Sequence, residues 1–111
     1  MFGEHKPLFT SPQFQKDDSS KNRLELIDPE FILGLGRIMT FGAQKYAPDN
    51  WKLGSDTESI NRLKGAMLRH ITAYLSGEKT DPETGESHLY HAAFGLQALA
   101  YFDRLEQDAN Q

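Results

Sequence analysis

The chain has 111 residues, a formal net charge of −4 and a hydrophobic fraction of 38%, values typical of one polar domain rather than a basic nucleic-acid-binding protein. It contains no cysteine, so disulfides, thiolate catalysis and zinc–cysteine sites are excluded. No apolar run approaches the roughly 20 residues that span a bilayer, and no secretory leader is evident, so we expect a cytoplasmic protein without membrane or nucleic-acid partners.

Residues 1–22 are polar and show no hydrophobic period, and they include two prolines and several serines. This composition is compatible with an N-terminal arm that its phenylalanines attach to a neighbouring surface, or with a disordered tail. Residues 23–27 alternate polar and apolar side chains, which indicates a brief strand or an extended lead-in. We expect the folded domain to cover residues 23–107 and a frayed tail to follow at 108–111.

The first predicted helix begins at Asp28-Pro29-Glu30 and ends near Tyr46. Aspartate is a favoured N-cap, proline fits the first helical position, and glutamate complements the positive end of the helix dipole. Apolar side chains follow at helical spacing, and they are Phe31, Ile32, Leu35, Ile38 and Met39. Because Gly34, Gly36 and Gly42 weaken the helix, we expect another helix or a ligand to approach it closely.

The second predicted helix follows a loop at residues 47–55. Ser55 and Glu58 have the spacing of a capping box, which predicts the helix start. The helix runs to about Ser76, and Gly77 is a plausible stop signal. Its apolar stripe consists of Ile60, Leu63, Met67, Ile71 and Tyr74.

The third predicted helix begins near Ser87 and fades by Gln107. Its apolar stripe consists of Leu89, Ala92, Ala93, Leu96, Leu99 and Phe102. The predicted fold class is therefore all-α, a small bundle of three main helices. Since the chain is polar for its size, we expect a homo-oligomer to complete the core.

Residues 77–91 are rich in side chains that can bind a metal ion. They include Glu78, Asp81, Glu83, His88 and His91. Carboxylates are hard ligands that suit Mg²⁺ or Mn²⁺. Histidines three residues apart lie on one helical face, where they can complete a metal shell or contact phosphate. The alternative is a capped and solvated acidic turn, because Asp-Pro-Glu also begins the first helix and charge runs usually lie at the surface.

Other side chains suit phosphate and base recognition. Arg62 and Arg69 are seven residues apart and share a helical face, and arginine binds phosphate oxygens through paired donors. In the preceding loop, aromatic rings can stack on a nucleobase and an amide can read its edge; the residues concerned are Lys45, Tyr46, Asn50 and Trp51. The alternatives are surface ion pairs for the arginines and a tryptophan that closes the end of the bundle.

Taken together, these fragments resemble a phage and prophage family described as the dATP/dGTP diphosphohydrolase N-terminal domain. The fragments are Lys21 to Glu30, Thr40 to Tyr46, Asn50-Trp51, Arg69-His70 and Gly77 to His91, and the resemblance covers about residues 19–105. The family looks related to the all-α, MazG-like nucleoside triphosphate pyrophosphohydrolases. The resemblance implies an oligomeric enzyme in the host cytoplasm that uses Mg²⁺ (or Mn²⁺) to cleave a purine triphosphate into monophosphate and pyrophosphate.

The chain departs from the MazG-like pattern, which places Glu-Glu-x-x-Glu on one helix and Glu-x-x-Asp on its partner. Here the second helix lacks that run and the third begins with His-x-x-His, so we assign roles from residue chemistry. Metal binding and catalysis are assigned to Glu78, Asp81, Glu83 and His88, with His91 as a further ligand; phosphate binding to Arg69, Lys45, Arg62 and His70; and base binding to Tyr46, Asn50 and Trp51. Two other functions stay open, a non-catalytic phage nucleotide-binding protein and a structural helical oligomer.

Overall fold

The computed structural model describes residues 20–110. Three helices occupy most of this range: α1 is Pro29–Lys45, α2 is Thr57–Leu75 and α3 is His88–Ala109. The predicted all-α class is confirmed. The α3 helix packs against both other helices, more extensively against α2 than against α1. Within residues 20–110, no helix combines the length and the apolar character needed to cross a membrane.

The helix boundaries follow local signals. Asp28 caps α1 by accepting a hydrogen bond from the Glu30 N–H, and Ser87 caps α3 by accepting one from the Leu89 N–H. The predicted cap of α2 is wrong by one residue. Asp56, rather than Ser55, has the extended backbone of an N-cap, and its carboxylate accepts a bond of 3.0 Å from the Ser59 N–H.

Other expectations about the chain ends meet different outcomes. Residues 23–27 form no strand, and Leu24–Leu26 make a short 3-10 helix instead. Next to it, Arg23 Nε donates to the Glu25 carboxylate at 2.9 Å. The α3 helix continues through Ala109, two residues beyond its predicted end. The expected N-terminal arm falls mostly on residues 1–19, which lie outside the described residues.

The interface between the helices is built from small side chains. On α3 the buried residues other than His88 are Ala92, Gly95, Ala98 and Phe102. The predicted stripe is therefore confirmed at Ala92 and Phe102 and wrong at Leu89 and Leu96. Those two leucines are 41% and 58% exposed. A Cβ at Gly95 would lie 2.9 Å from the Cβ of Met67, which shows how closely α2 and α3 approach.

Close approach at the α1 glycines is confirmed at one position of three. Gly34 is buried beneath the ring of Tyr90, whereas Gly36 and Gly42 face open space.

The core that results is thin. Its buried apolar side chains are Ile38, Ala92, Ala98 and Phe102. Large apolar side chains remain exposed along α1 and α3, and they include Phe31, Ile32, Leu33, Phe41, Leu96 and Leu105. Covering such surface is a common reason for self-association, so the homo-oligomer stays a prediction that this surface favours.

Candidate functional site

The connection between α2 and α3 is an ordered turn. Gly77 and Gly85 have φ values of 106° and 74°, which glycine adopts without steric cost. The Asp81 N–H donates to the Glu86 carbonyl at 2.8 Å, and Thr80 bridges Ser87 in antiparallel fashion. These backbone contacts fold the acidic segment back on itself and hold Asp81 next to the start of α3.

The Asp81 carboxylate anchors this turn. Its Oδ2 accepts hydrogen bonds from the Glu83 N–H at 3.1 Å, the Thr84 N–H at 3.0 Å and the Thr84 hydroxyl at 3.3 Å. Burial raises the pKa of Asp81, but the Thr84 hydrogen bonds and the nearby His91 outweigh it, so the pKa lies below its ordinary value. The capping role that the sequence left open is therefore present, and it uses one carboxylate oxygen.

Three histidines meet beside Asp81. His70 on α2 and His88 on α3 approach through their Nδ1 atoms at 2.8 Å. The His70 and His91 rings stack with centroids 4.4 Å apart and an interplanar angle of 7°. His91 Nε2 also lies 2.7 Å from the Thr84 hydroxyl. Helix packing therefore joins a histidine from one helix with two from the next.

Glu78 fixes the orientation of His88. The Glu78 carboxylate lies 2.7 Å from His88 Nε2, and an ionised carboxylate can only accept, so Nε2–H must donate. In the neutral ring Nδ1 then carries the lone pair, and it faces His70. His88 is 4% exposed, so its Nδ1 lone pair is largely shielded from solvent.

The resulting arrangement offers a donor set for a divalent ion. One potential ligand atom each from His70, Asp81 and His88 lies within 4.8 Å of the others. Two imidazole nitrogens and one carboxylate oxygen, with Glu78 supporting His88, match the general construction of protein metal sites. The phosphate role predicted for His70 stays a prediction; in the structure its ring belongs to this cluster.

The remaining predicted ligands are placed differently. The Glu83 carboxylate is 64% exposed and pairs with Lys45 on α1 at 3.4 Å. His91 contacts Thr84 and lies 3.8 Å from Asp81 Oδ2. Sequence reasoning missed Thr84, because no motif marks a threonine that joins a turn to a histidine.

A cavity of about 680 Å³ lies against this cluster. Its walls contain His70 and His91 together with Tyr46, Asn50 and Trp51 from the loop after α1. The cavity thus brings the predicted base-binding residues together with two of the three histidines, whereas His88 and Asp81 are not part of its wall. Its volume falls in the range of small-molecule pockets.

The predicted cations divide into two groups around this cavity. Lys45 and Arg62 line it, whereas Arg69 is exposed on α2 and is not part of its wall. Arg62 pairs with Glu58 at 2.8 Å, and both side chains are largely exposed. Such exposed pairs are weak in water, so an anionic ligand can compete for Lys45 and Arg62.

Trp51 forms a wall of the cavity as well as part of the bundle. Its ring packs edge-on against Phe94, Tyr101 and Phe102, with centroids 5.8, 5.1 and 6.2 Å away. Its Nε1 is buried and has no hydrogen-bond partner within residues 20–110. The bundle-closing role left open by the sequence is therefore present, and it does not remove Trp51 from the cavity wall.

Acidification is expected to destabilise the chelator-treated protein between pH 7.5 and 5.5. Burial lowers the pKa of His70 and of His91 from the ordinary value of 6.5, and His91 and His88 lower that of His70 further. Below pH 6.5 the unfolded chain therefore binds more protons than the folded chain. The free energy of unfolding then decreases as the pH is lowered. Melting temperatures measured across this range should decrease, and the decrease should be smaller in His91→Gln. A constant or rising melting temperature would contradict this assignment of the cluster.

Comparison with known proteins adds to this geometry. The family described as dATP/dGTP diphosphohydrolase, N-terminal, matches residues 11–111. A protein of Salmonella phage PMBT28 named dATP/dGTP diphosphohydrolase is 40% identical over 84 residues. The matched region is 76% of this chain and 28% of that relative, so the chain spans little more than a quarter of its length. No solved structure matches significantly.

Proposed function

The chain belongs to the dATP/dGTP diphosphohydrolase N-terminal family, and from this we propose that it binds a purine deoxynucleoside triphosphate and hydrolyses it to monophosphate and pyrophosphate. The observation that carries the proposal is the shared cavity. Tyr46, Asn50 and Trp51 line the same space as His70 and His91, although up to 45 positions separate them in the sequence. A base and a triphosphate need such a joint site.

Base recognition is assigned to the loop after α1. The Tyr46 side chain is exposed at the cavity, where its ring can stack on a purine. Asn50 supplies an amide that can pair with the donors and acceptors of a base edge. Trp51 is held by three aromatic neighbours and acts as a rigid wall.

The triphosphate is assigned to the side of the cavity near the histidines. Lys45 and Arg62 line the cavity. Each pairs with an exposed glutamate that phosphate oxygens can replace. When bound, a divalent ion at the cluster would orient the triphosphate and lower the pKa of the attacking water. Glu78 keeps the His88 lone pair directed inward, and Asp81 would supply the negative charge that holds the ion.

The reaction adds water across the bond between the α and β phosphates. The water oxygen joins the α-phosphorus, the bridging bond breaks toward the β-phosphate, and pyrophosphate leaves. A carboxylate or a histidine of the cluster accepts the water proton, and the residue chemistry leaves both open. Lys45 and Arg62 neutralise charge that develops on the leaving phosphates.

One observation favours a second function, nucleotide binding without turnover. The Glu78 carboxylate supports His88, and the Glu83 carboxylate pairs with Lys45. Asp81 is therefore the one carboxylate in the metal-binding group found within residues 20–110. Such a protein would retain affinity for nucleotides when metal is removed.

The proposed function is tested with purified protein, each common NTP and dNTP, and Mg²⁺ or Mn²⁺. We expect monophosphate and pyrophosphate to form in equal amounts from dATP or dGTP, and a chelator to stop the reaction. Triphosphate that stays intact while the nucleotide raises the melting temperature would support the binding protein instead. If no nucleotide is hydrolysed and none changes the melting temperature, the structural oligomer is favoured.

A further inference from the structure

The histidine cluster contains more nitrogen donors than a magnesium site requires. We propose that His70, Asp81 and His88 bind one divalent transition-metal ion, of the class of Mn²⁺, Fe²⁺, Co²⁺ and Zn²⁺, in preference to Mg²⁺. The proposal deepens the proposed function, on which the catalytic use of the ion rests. The metal-binding part depends only on the geometry of the cluster.

The two Nδ1 atoms define the site. They lie 2.8 Å apart, and the Glu78 bond to His88 Nε2 leaves the His88 Nδ1 lone pair directed at His70. Without metal, the pair is satisfied when His70 Nδ1–H donates to His88 Nδ1. When the neutral His70 ring instead carries its proton on Nε2, two Nδ1 lone pairs face the same point, which is the condition for binding an ion between them.

Asp81 supplies the third donor. Every side-chain hydrogen bond to Asp81 within the described range ends on Oδ2. The carboxylate is therefore held in place through one oxygen, while Oδ1 remains available to an ion. The Asp81 side chain is 16% exposed, so little water would compete with an ion for its carboxylate.

The ligand chemistry separates the candidate ions. Magnesium prefers oxygen ligands and retains several waters, whereas imidazole suits transition ions. Two histidines and one carboxylate with open positions are typical of catalytic zinc and non-haem iron sites. The Glu78 hydrogen bond to His88 is the outer support that such histidine ligands usually have.

Metal binding is tested on chelator-treated full-length protein without nucleotide. Co²⁺ is added in the presence of excess Mg²⁺, visible absorption is recorded, and bound metal is measured by mass spectrometry after gel filtration. We expect about one Co²⁺ per chain, visible d–d bands, and no displacement by Mg²⁺. Asp81→Asn and His70→Gln should each weaken Co²⁺ binding by about 100-fold or more, since loss of outer support alone costs about 10- to 100-fold.

Glu86→Gln is the matched control. Glu86 lies in the same turn but pairs with Arg37 at 2.8 Å, so its loss should leave Co²⁺ stoichiometry unchanged. Circular dichroism establishes that each variant remains helical. Binding of Mg²⁺ in place of Co²⁺, or Co²⁺ binding that survives in folded Asp81→Asn and His70→Gln, would overturn the proposal. Intact Co²⁺ binding without any nucleotide turnover would instead reject the proposed function and retain the metal site.

Discussion

Asp81→Asn is expected to lower kcat for dATP or dGTP hydrolysis by about 10²- to 10³-fold. The asparagine oxygen can still accept the bonds from the Glu83 and Thr84 N–H groups, so the turn should keep its shape. What is lost is the negative charge that, in the proposed site, would hold the ion beside the triphosphate. Metal stabilisation of a transition state is worth several kcal/mol, and each 1.36 kcal/mol changes the rate about tenfold. Steady-state release of pyrophosphate measures the effect.

Glu86→Gln removes a second carboxylate from the same turn and serves as the control for this variant. Its partner Arg37 lies on α1, outside the cavity wall, so kcat should change less than about threefold. Circular dichroism should be the same for both variants. Equal rates in Asp81→Asn and the unmodified protein would remove Asp81 from the catalytic site.

Gly34→Ala is expected to destabilise the fold, whereas Gly36→Ala is expected to stabilise it. A Cβ at Gly34 would overlap the ring of Tyr90, which packs edge-on against Phe31 with centroids 5.6 Å apart. Overpacking of this kind costs about 1 to 3 kcal/mol. At Gly36 no atom beyond the adjacent residues and the backbone of α1 itself lies within 4 Å of the new Cβ, so replacing glycine should add about 0.5 to 1 kcal/mol of helix stability.

Thermal unfolding of the two alanine variants checks this prediction. For a domain of this size, 1 kcal/mol shifts the melting temperature by about 4 to 8 °C. The two variants make the same chemical change two residues apart on α1, so differences in composition cannot explain opposite shifts. A higher melting temperature in Gly34→Ala would show that Tyr90 moves freely and that the contact between α1 and α3 is loose.

Features set by neighbouring residues were predictable from the sequence. Asp28, Ser87 and Gly77 act through hydrogen bonds and backbone angles within a few positions, and each marks a helix end in the structure. The buried face of α3 was not predictable in this way. Hydrophobicity favoured Leu89 and Leu96, but close packing of α2 and α3 selects small residues such as Gly95.

The candidate site was predicted only in part, because some of its residues are placed by local spacing and others by the packing of the helices. Local spacing placed His88 and His91 on one helical face, and both join the cluster in the structure. The position of His70 depends on how α2 packs against α3, which no sequence spacing encodes. Glu83 lies only two residues from Asp81, yet its side chain pairs with Lys45 on α1. The resemblance to the diphosphohydrolase family is confirmed, while the relation to MazG-like enzymes stays a prediction.

The cavity and the histidine cluster are proposed to form one site for nucleotide and metal. The direct measurement is electron–nuclear double resonance on protein loaded with Mn²⁺ and a dGTP analogue that carries a methylene group between its α and β phosphates. A phosphorus hyperfine coupling from the bound analogue, lost in Asp81→Asn, is the predicted result. If Mn²⁺ and analogue are both bound and no phosphorus coupling is detected, the ion and the triphosphate occupy separate places, which contradicts a joint site.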